Sequence, residues 1–142
     1  MADELFQDLL PRSELAAPFW DAVRHGRLVV QRCSLCGHRW LPARRECPAC
    51  LQVGARWVEV SGRARLVSWV VYHQALHAAF EAELPYNVAV VELEEGPRLI
   101  SNIVGVDSAD LRIDQPLQMV VRERCGIPVP LFAPQKRLRS SA

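Results

Sequence analysis

Five cysteines occur in 142 residues, and four stand in two pairs, Cys33-Ser34-Leu35-Cys36 and Cys47-Pro48-Ala49-Cys50. A two-residue gap lets both sulfurs of a pair reach one ion within a single tight turn, and two such knuckles complete a tetrahedral shell. Gly37 follows the first pair, where backbone freedom is useful, and Pro48 stiffens the second. Cys33, Cys36, Cys47 and Cys50 therefore read as a zinc ribbon with one zinc ion. Four thiolates leave no open position for water or substrate, so the metal is expected to be structural. A redox Cys-x-x-Cys needs only one pair, at a helix start in a βαβ context that the sequence lacks. Disulfides need an oxidising compartment, and nothing at the N-terminus resembles a secretory signal, so a cytoplasmic location is expected. Four sulfurs alone do not separate zinc from iron.

Other chemistry is sparse. Cys125 is the single thiol outside the ribbon and falls on the inward side of its strand by alternation, as an inert core residue would. His73 and His77 lie four apart but have no third ligand or carboxylate near them in sequence, and His38 is superfluous once four sulfurs are present. Glu92, Glu94 and Glu95 close a strand at a turn, where charge is usually solvated. No nucleophile–base pair and no phosphate-cradling glycine loop stand out, so no catalytic residue is expected.

Charge is unevenly spread. Nine arginines fall between Arg24 and Arg65 against two acids, Glu46 and Glu59, whereas eight acids fall between Glu81 and Asp114 against Arg98 and Arg112. The formal net charge of +1 becomes about −1 once four thiolates hold a divalent ion, so the chain is no general nucleic-acid binder. Arginine forks suit phosphate and carboxylate, which makes the ribbon side a candidate surface for an anionic ligand or an acidic protein. No apolar run of about 18 residues occurs, so no membrane span is expected.

The elements that must position these groups follow from periodicity. Leu5, Phe6, Leu9 and Leu10 share a face of a short helix within 1–15, and Phe19, Trp20 and Val23 form the apolar stripe of a second helix from Pro18 to His25. Leu28-Val29-Val30 leads as a strand into the first knuckle, and Trp40-Leu41-Pro42 forms the second ribbon strand, with Trp40 packed over the metal. Strands are then predicted at Trp57–Val60, Arg65–His73, Tyr86–Leu93, Arg98–Val106 and Leu117–Cys125, with a last edge strand at 127–132 limited by Pro128 and Pro130. Residues 74–84 read as a loop with a helical turn, and Asp107 as the cap of a short helix. The fold expected is mainly β with N-terminal helices: a rubredoxin-like zinc ribbon followed by a five-stranded oligonucleotide/oligosaccharide-binding (OB) barrel. The expected units are a helical docking segment (1–27), the ribbon (28–56), the barrel (57–134) and a disordered tail (135–142).

Several stretches resemble one known family, the zinc-ribbon plus OB-fold proteins associated with acyl-coenzyme A enzymes, long described as a domain of unknown function. They are Pro18-Phe19-Trp20, Leu28-Val29-Val30-Gln31-Arg32-Cys33, Pro42 with Cys47-Pro48-Ala49-Cys50, Val60-Ser61-Gly62, and Pro85-Tyr86 through Gly96. The chain departs at Ala64, where the pattern has a second glycine two positions after Gly62; a side chain there would alter a bulge or narrow a channel. The resemblance implies a non-catalytic accessory subunit. It would bind a thiolase-like enzyme (condensing, aldol-cleaving or acyl-transferring) or a hot-dog hydratase and help form the passage for an acyl-CoA or acyl-pantetheine arm. Arg39, Arg44, Arg45, Arg63 and Arg65, with Phe19 and Trp20, are then the candidate contacts to coenzyme A or partner. The competing reading is an OB-fold single-stranded nucleic-acid binder, for which the barrel offers only Trp69, Tyr72 and Tyr86 as strand aromatics, with Trp57 at its entrance.

Overall fold

The computed structural model describes residues 14–124 and 126–135. The expected helix within 1–15 thus lies almost wholly outside the described residues, as do Cys125 and residues 136–142 of the expected tail.

One strand serves both halves of the molecule. β1 (Leu28–Cys33) is the centre of a three-stranded antiparallel sheet between β2 (Arg39–Trp40) and β3 (Ala55–Val60). Its two faces do different work, because successive side chains alternate. Leu28 and Val30 point into the main core with Leu66, Val91, Leu117 and Phe132. Gln31 and Cys33 point the other way, and Cys33 packs with Trp40 and Cys47. β3, which includes the Trp57–Val60 strand expected to open the barrel, pairs along its whole length with β1.

The second sheet has five strands in the order β6-β5-β4-β7-β8, formed by β4 (Arg63–Tyr72), β5 (Tyr86–Leu93), β6 (Arg98–Ser101), β7 (Pro116–Arg124) and β8 (Ile127–Pro134). It curls because β4 pairs with β5 over nearly its full length but with β7 only at Arg63–Arg65, and a register shift between Leu66 and Ser68 bends it. Ala64 does not sit at that bulge. Its side chain is buried in the core between Leu93 and Leu117, so the expected effect on a bulge at this position is not seen.

Closure is made by a parallel bridge between Ile103 and Phe132. Phe132 N–H donates to Asn102 O at 3.1 Å, and Val104 N–H donates to Phe132 O at 2.8 Å. This explains why β6 stops at Ser101 rather than running to Val106: the chain leaves β5 to meet β8. It also explains the prolines. Pro128, Pro130 and Pro134 share the parity of Phe132, whose amide faces away from β7, so their missing N–H groups cost the β7–β8 ladder nothing. β8 therefore pairs with β7 over all eight residues.

α1 (Ala17–Arg24) begins with proline in its first turn and lays Ala22 and Val23 on β1 and β8. Gly26, at φ +75°, turns the chain into β1. A 3-10 turn at Ala78–Glu83 lies in the β4–β5 loop, and another at Ser108–Asp110 is capped by Asp107, whose side chain accepts from Ala109 N–H. No helix among the described residues is long and apolar enough to cross a membrane.

Candidate metal centre and surfaces

The two knuckles are built alike. In the first, the amides of Leu35 and Cys36 donate to Cys33 Sγ at 3.4 and 3.5 Å; in the second, Ala49 and Cys50 donate to Cys47 Sγ at the same distances. Each turn closes with an i+4 amide bonded to the first cysteine's carbonyl, Gly37 to Cys33 at 3.0 Å and Leu51 to Cys47 at 2.8 Å. Gly37 has φ +78°, and Leu51 takes the equivalent left-handed position at φ 64° without the freedom of glycine. Sequence reading identified Gly37 and missed its counterpart, since leucine carries no turn signal.

The turns bring the four sulfurs within 4.8 Å of one another. Cys33–Cys50 and Cys36–Cys47 stand 3.6 Å apart, close to the separation of about 3.8 Å that a tetrahedron of 2.3 Å metal–sulfur bonds requires. The amides of Cys36 and Leu35 hold the Cys33 thiol down at about 6. At Cys50 the Gln52 amide pulls the other way, but burial and the neighbouring thiols Cys33, Cys47 and Cys36 push it up to about 12. Four thiols this close resist joint ionisation unless a cation neutralises them. The cluster is thus a site for a metal ion, and all four cysteines predicted as ligands are in it. Trp40 packs against it as expected, with His38 stacked on the indole at 6.1 Å. The Trp40 Nε1–H is buried and has no partner among the described residues.

The five candidate arginines do not form one surface. Arg63 pairs with Glu94 at 2.8 Å, and Arg65 pairs with Glu92 at 2.6 Å and with Asp114. Both are committed to the barrel's own acids. Arg44 and Arg45 are exposed in the loop after Pro42, which is tied down by the Arg44 N–H donating to Gln31 Oε1 at 2.7 Å. Arg39 is exposed on β2, directly opposite Arg32.

Phe19 and Trp20 meet edge to face at 5.1 Å and line two adjoining apolar cavities, of about 560 and 450 Å³. The first also takes in Leu41 and Pro42 of the ribbon; the second runs on to Tyr86 and Val129. Leu99 and Ile100 of β6 belong to both, and Ile100 is 72% exposed. A third, more polar cavity of about 670 Å³ opens at the barrel mouth between His73, Asn87, Asn102 and Asp107. Asn87 there is structural: its side chain bonds both the N–H and the carbonyl of Ile103. His77 is likewise occupied, its Nδ1 accepting from Ala79 N–H at 3.1 Å.

Residues 20–53 match the family described as the ChsH2 rubredoxin-like zinc ribbon domain, and residues 57–122 match the ChsH2 C-terminal OB-fold domain. A DUF35 domain-containing scaffold protein of Methanocaldococcus jannaschii is 30% identical over 115 residues, covering 80% of this chain and 81% of that protein. The chain belongs to the DUF35 family. Among solved structures, an Ltp2-ChsH2(DUF35) aldolase matches at 35% identity with a TM-score of 0.78, over 88% of this chain and 98% of that one. A probable enoyl-CoA hydratase alpha subunit of Thermomonospora curvata is 40% identical over 100 residues, 70% of this chain. The chain spans about a third of the length of that relative, 31%. For the DUF35 fold, then, the sequence expectation of a ribbon joined to a curled five-stranded barrel holds.

Proposed function

We propose that this chain is a non-catalytic accessory subunit that binds an acyl-CoA enzyme of the thiolase-like or hydratase kind and helps form the passage for its acyl-pantetheine arm. The observation that carries the reading is the pair of adjoining apolar cavities running from Leu41 past Trp20 to Ile100, where Leu41 and Trp20 are half-buried and Ile100 is exposed. The names of the DUF35 relatives support it, since three are scaffold proteins. In this reading Cys33, Cys36, Cys47 and Cys50 hold one zinc ion with no open position, and the ribbon keeps Leu41 and Pro42 in place against α1. Paired thiols kept as ligands suit a reducing, cytoplasmic setting. Phe19 and Trp20 are assigned to the partner interface, and the helical segment, ribbon and barrel act as successive modules.

Nucleic-acid binding finds less support. Tyr72 and Tyr86 are engaged with each other edge to face at 5.4 Å, and Trp69 leans on the core, which leaves few free stacking faces on the strands.

Co-expression with thiolase-like and hydratase enzymes of acyl-CoA metabolism tests the proposal. A stable hetero-oligomer is expected, and Ile100→Asp should abolish it while the variant stays folded. A chain that remains monomeric beside a partner fully active alone would refute the reading.

A further inference from the structure

The register of the ribbon sheet sets three arginines side by side. Arg32 on β1 lies directly opposite Arg39 on β2 and Arg56 on β3. Directly opposed residues of antiparallel strands share a face with their Cβ atoms about 5 Å apart. On that same face, Leu28 with Val60 and Val30 with Val58 pack into the barrel core. The arginine row is the next row along, where the barrel stops covering the sheet.

Among the described residues no acid neutralises this row. Five arginines meet acids, Arg27 with Glu59, Arg63 with Glu94, Arg65 and Arg98 with Glu92, and Arg124 with Glu83, whereas Arg24, Arg44, Arg45, Arg112 and Arg122 are unpaired among the described residues but do not stand opposite one another in a sheet. Arg32, Arg39 and Arg56 form no ion pair among the described residues. Like charges directly opposite one another are unfavourable, and a single Glu on either edge strand would relieve them. Arg39 and Arg56 are exposed, while Arg32 is half-buried, its guanidinium lying 3.6 Å from where a side chain on Gly37 would begin. A Cβ at 37 would meet that guanidinium at ordinary van der Waals distance, so the glycine serves the turn, at φ +78°.

We propose that Arg39, Arg32 and Arg56 form a phosphate-binding strip that takes the nucleotide end of coenzyme A. The coenzyme is named by the accessory reading above, on which this rests; the sheet register itself names the anion. Guanidinium forks match phosphate oxygens two at a time. The strip is about 10 Å long, two interstrand spacings, which suits a ligand carrying a diphosphate and a separate phosphomonoester. Arg63 and Arg65, already held by acids, are not part of it.

The test is calorimetric titration of the metal-loaded full chain with coenzyme A, 3′-dephospho-coenzyme A and pantetheine at low salt. Coenzyme A should bind tightest, the dephospho form more weakly, and pantetheine weakest. The double variant Arg39→Gln/Arg56→Gln should weaken coenzyme A binding about tenfold or more, and Arg27→Gln should not. Arg32 is left in place because it packs on the knuckle. Pantetheine binding as tightly as coenzyme A, an unchanged affinity in the double variant, or tighter binding of a single-stranded oligonucleotide would each overturn the assignment. Co-purification with the enzyme partner is followed in parallel. A double variant that loses its partner but binds coenzyme A normally would show a protein contact, sinking the strip and leaving the accessory reading intact. Coenzyme A binding through the strip in a chain that joins no acyl-CoA enzyme would do the reverse.

Discussion

The amide of Phe132 donates to the carbonyl of Asn102 at 3.1 Å, and this contact joins the two edges of the curled sheet. Odd-numbered residues of β8 direct their amides into the β7 ladder, and even-numbered ones direct theirs outward. Val129→Pro is therefore expected to destabilise the chain by about 1–3 kcal/mol, the cost of a lost ladder bond and an unsatisfied carbonyl, although Pro128 and Pro130 flank it harmlessly. Urea unfolding measures this, and a loss under about 1 kcal/mol would show that the ladder parity is misassigned.

Phe132 is itself fully buried, at 0% exposure. Phe132→Ala should cost about 3–5 kcal/mol, because the cavity opens in the middle of the core where Val91 and Leu117 are also sealed. The same denaturation experiment checks it.

Removing the metal should destabilise more than the ribbon. β1 gives Cys33 to the metal cluster and Leu28 and Val30 to the barrel core, so the strand transmits disorder from one to the other. Cys47→Ser is expected to lose bound metal, lower the melting temperature of the whole chain and lose partner binding together. Metal analysis with circular dichroism decides: about one zinc per chain for the parent is expected. A metal-free variant that melts normally would show that the two halves are uncoupled.

Leu51 holds a left-handed conformation that its glycine counterpart in the first knuckle adopts without strain, and its side chain is 70% exposed. Leu51→Gly should stabilise the metal-loaded chain by about 0.5–1 kcal/mol, the relief of backbone strain less the entropy of glycine in the unfolded chain. Thermal denaturation reads the sign directly.

Glu92 accepts from Arg65 and Arg98, and these guanidiniums hold its carboxyl below the usual carboxylate range. A lowered carboxylate contributes stability that is present above its unfolded pKa of about 4.3 and lost as pH falls through the folded value. Glu92→Gln should melt below the parent at neutral pH, and the two curves should converge in acid beneath that range. A difference independent of pH would assign the loss to packing.

The ribbon was legible because metal ligation is a local matter: two pairs of cysteines and their spacing state the ligand set, and alternation in β1 and β5 states which side chains go inward. The same holds for α1, where Pro18 and Gly26 mark both ends. Which arginines are free was not legible. Charge counting gathered nine arginines from Arg24 to Arg65, among them the candidate contacts Arg39, Arg44, Arg45, Arg63 and Arg65, whereas pairing depends on strand register, which set Arg65 against Glu92 and Arg32 between Arg39 and Arg56. Nor could the proline pattern of β8 be read correctly alone, since a missing amide matters only if it faces a neighbour. By itself the sequence determined the four-cysteine cluster and the kind of fold, because those rest on residue type and local period. Only the tertiary structure decided which charges cancel and which edges meet, because both depend on partners brought together from distant parts of the chain.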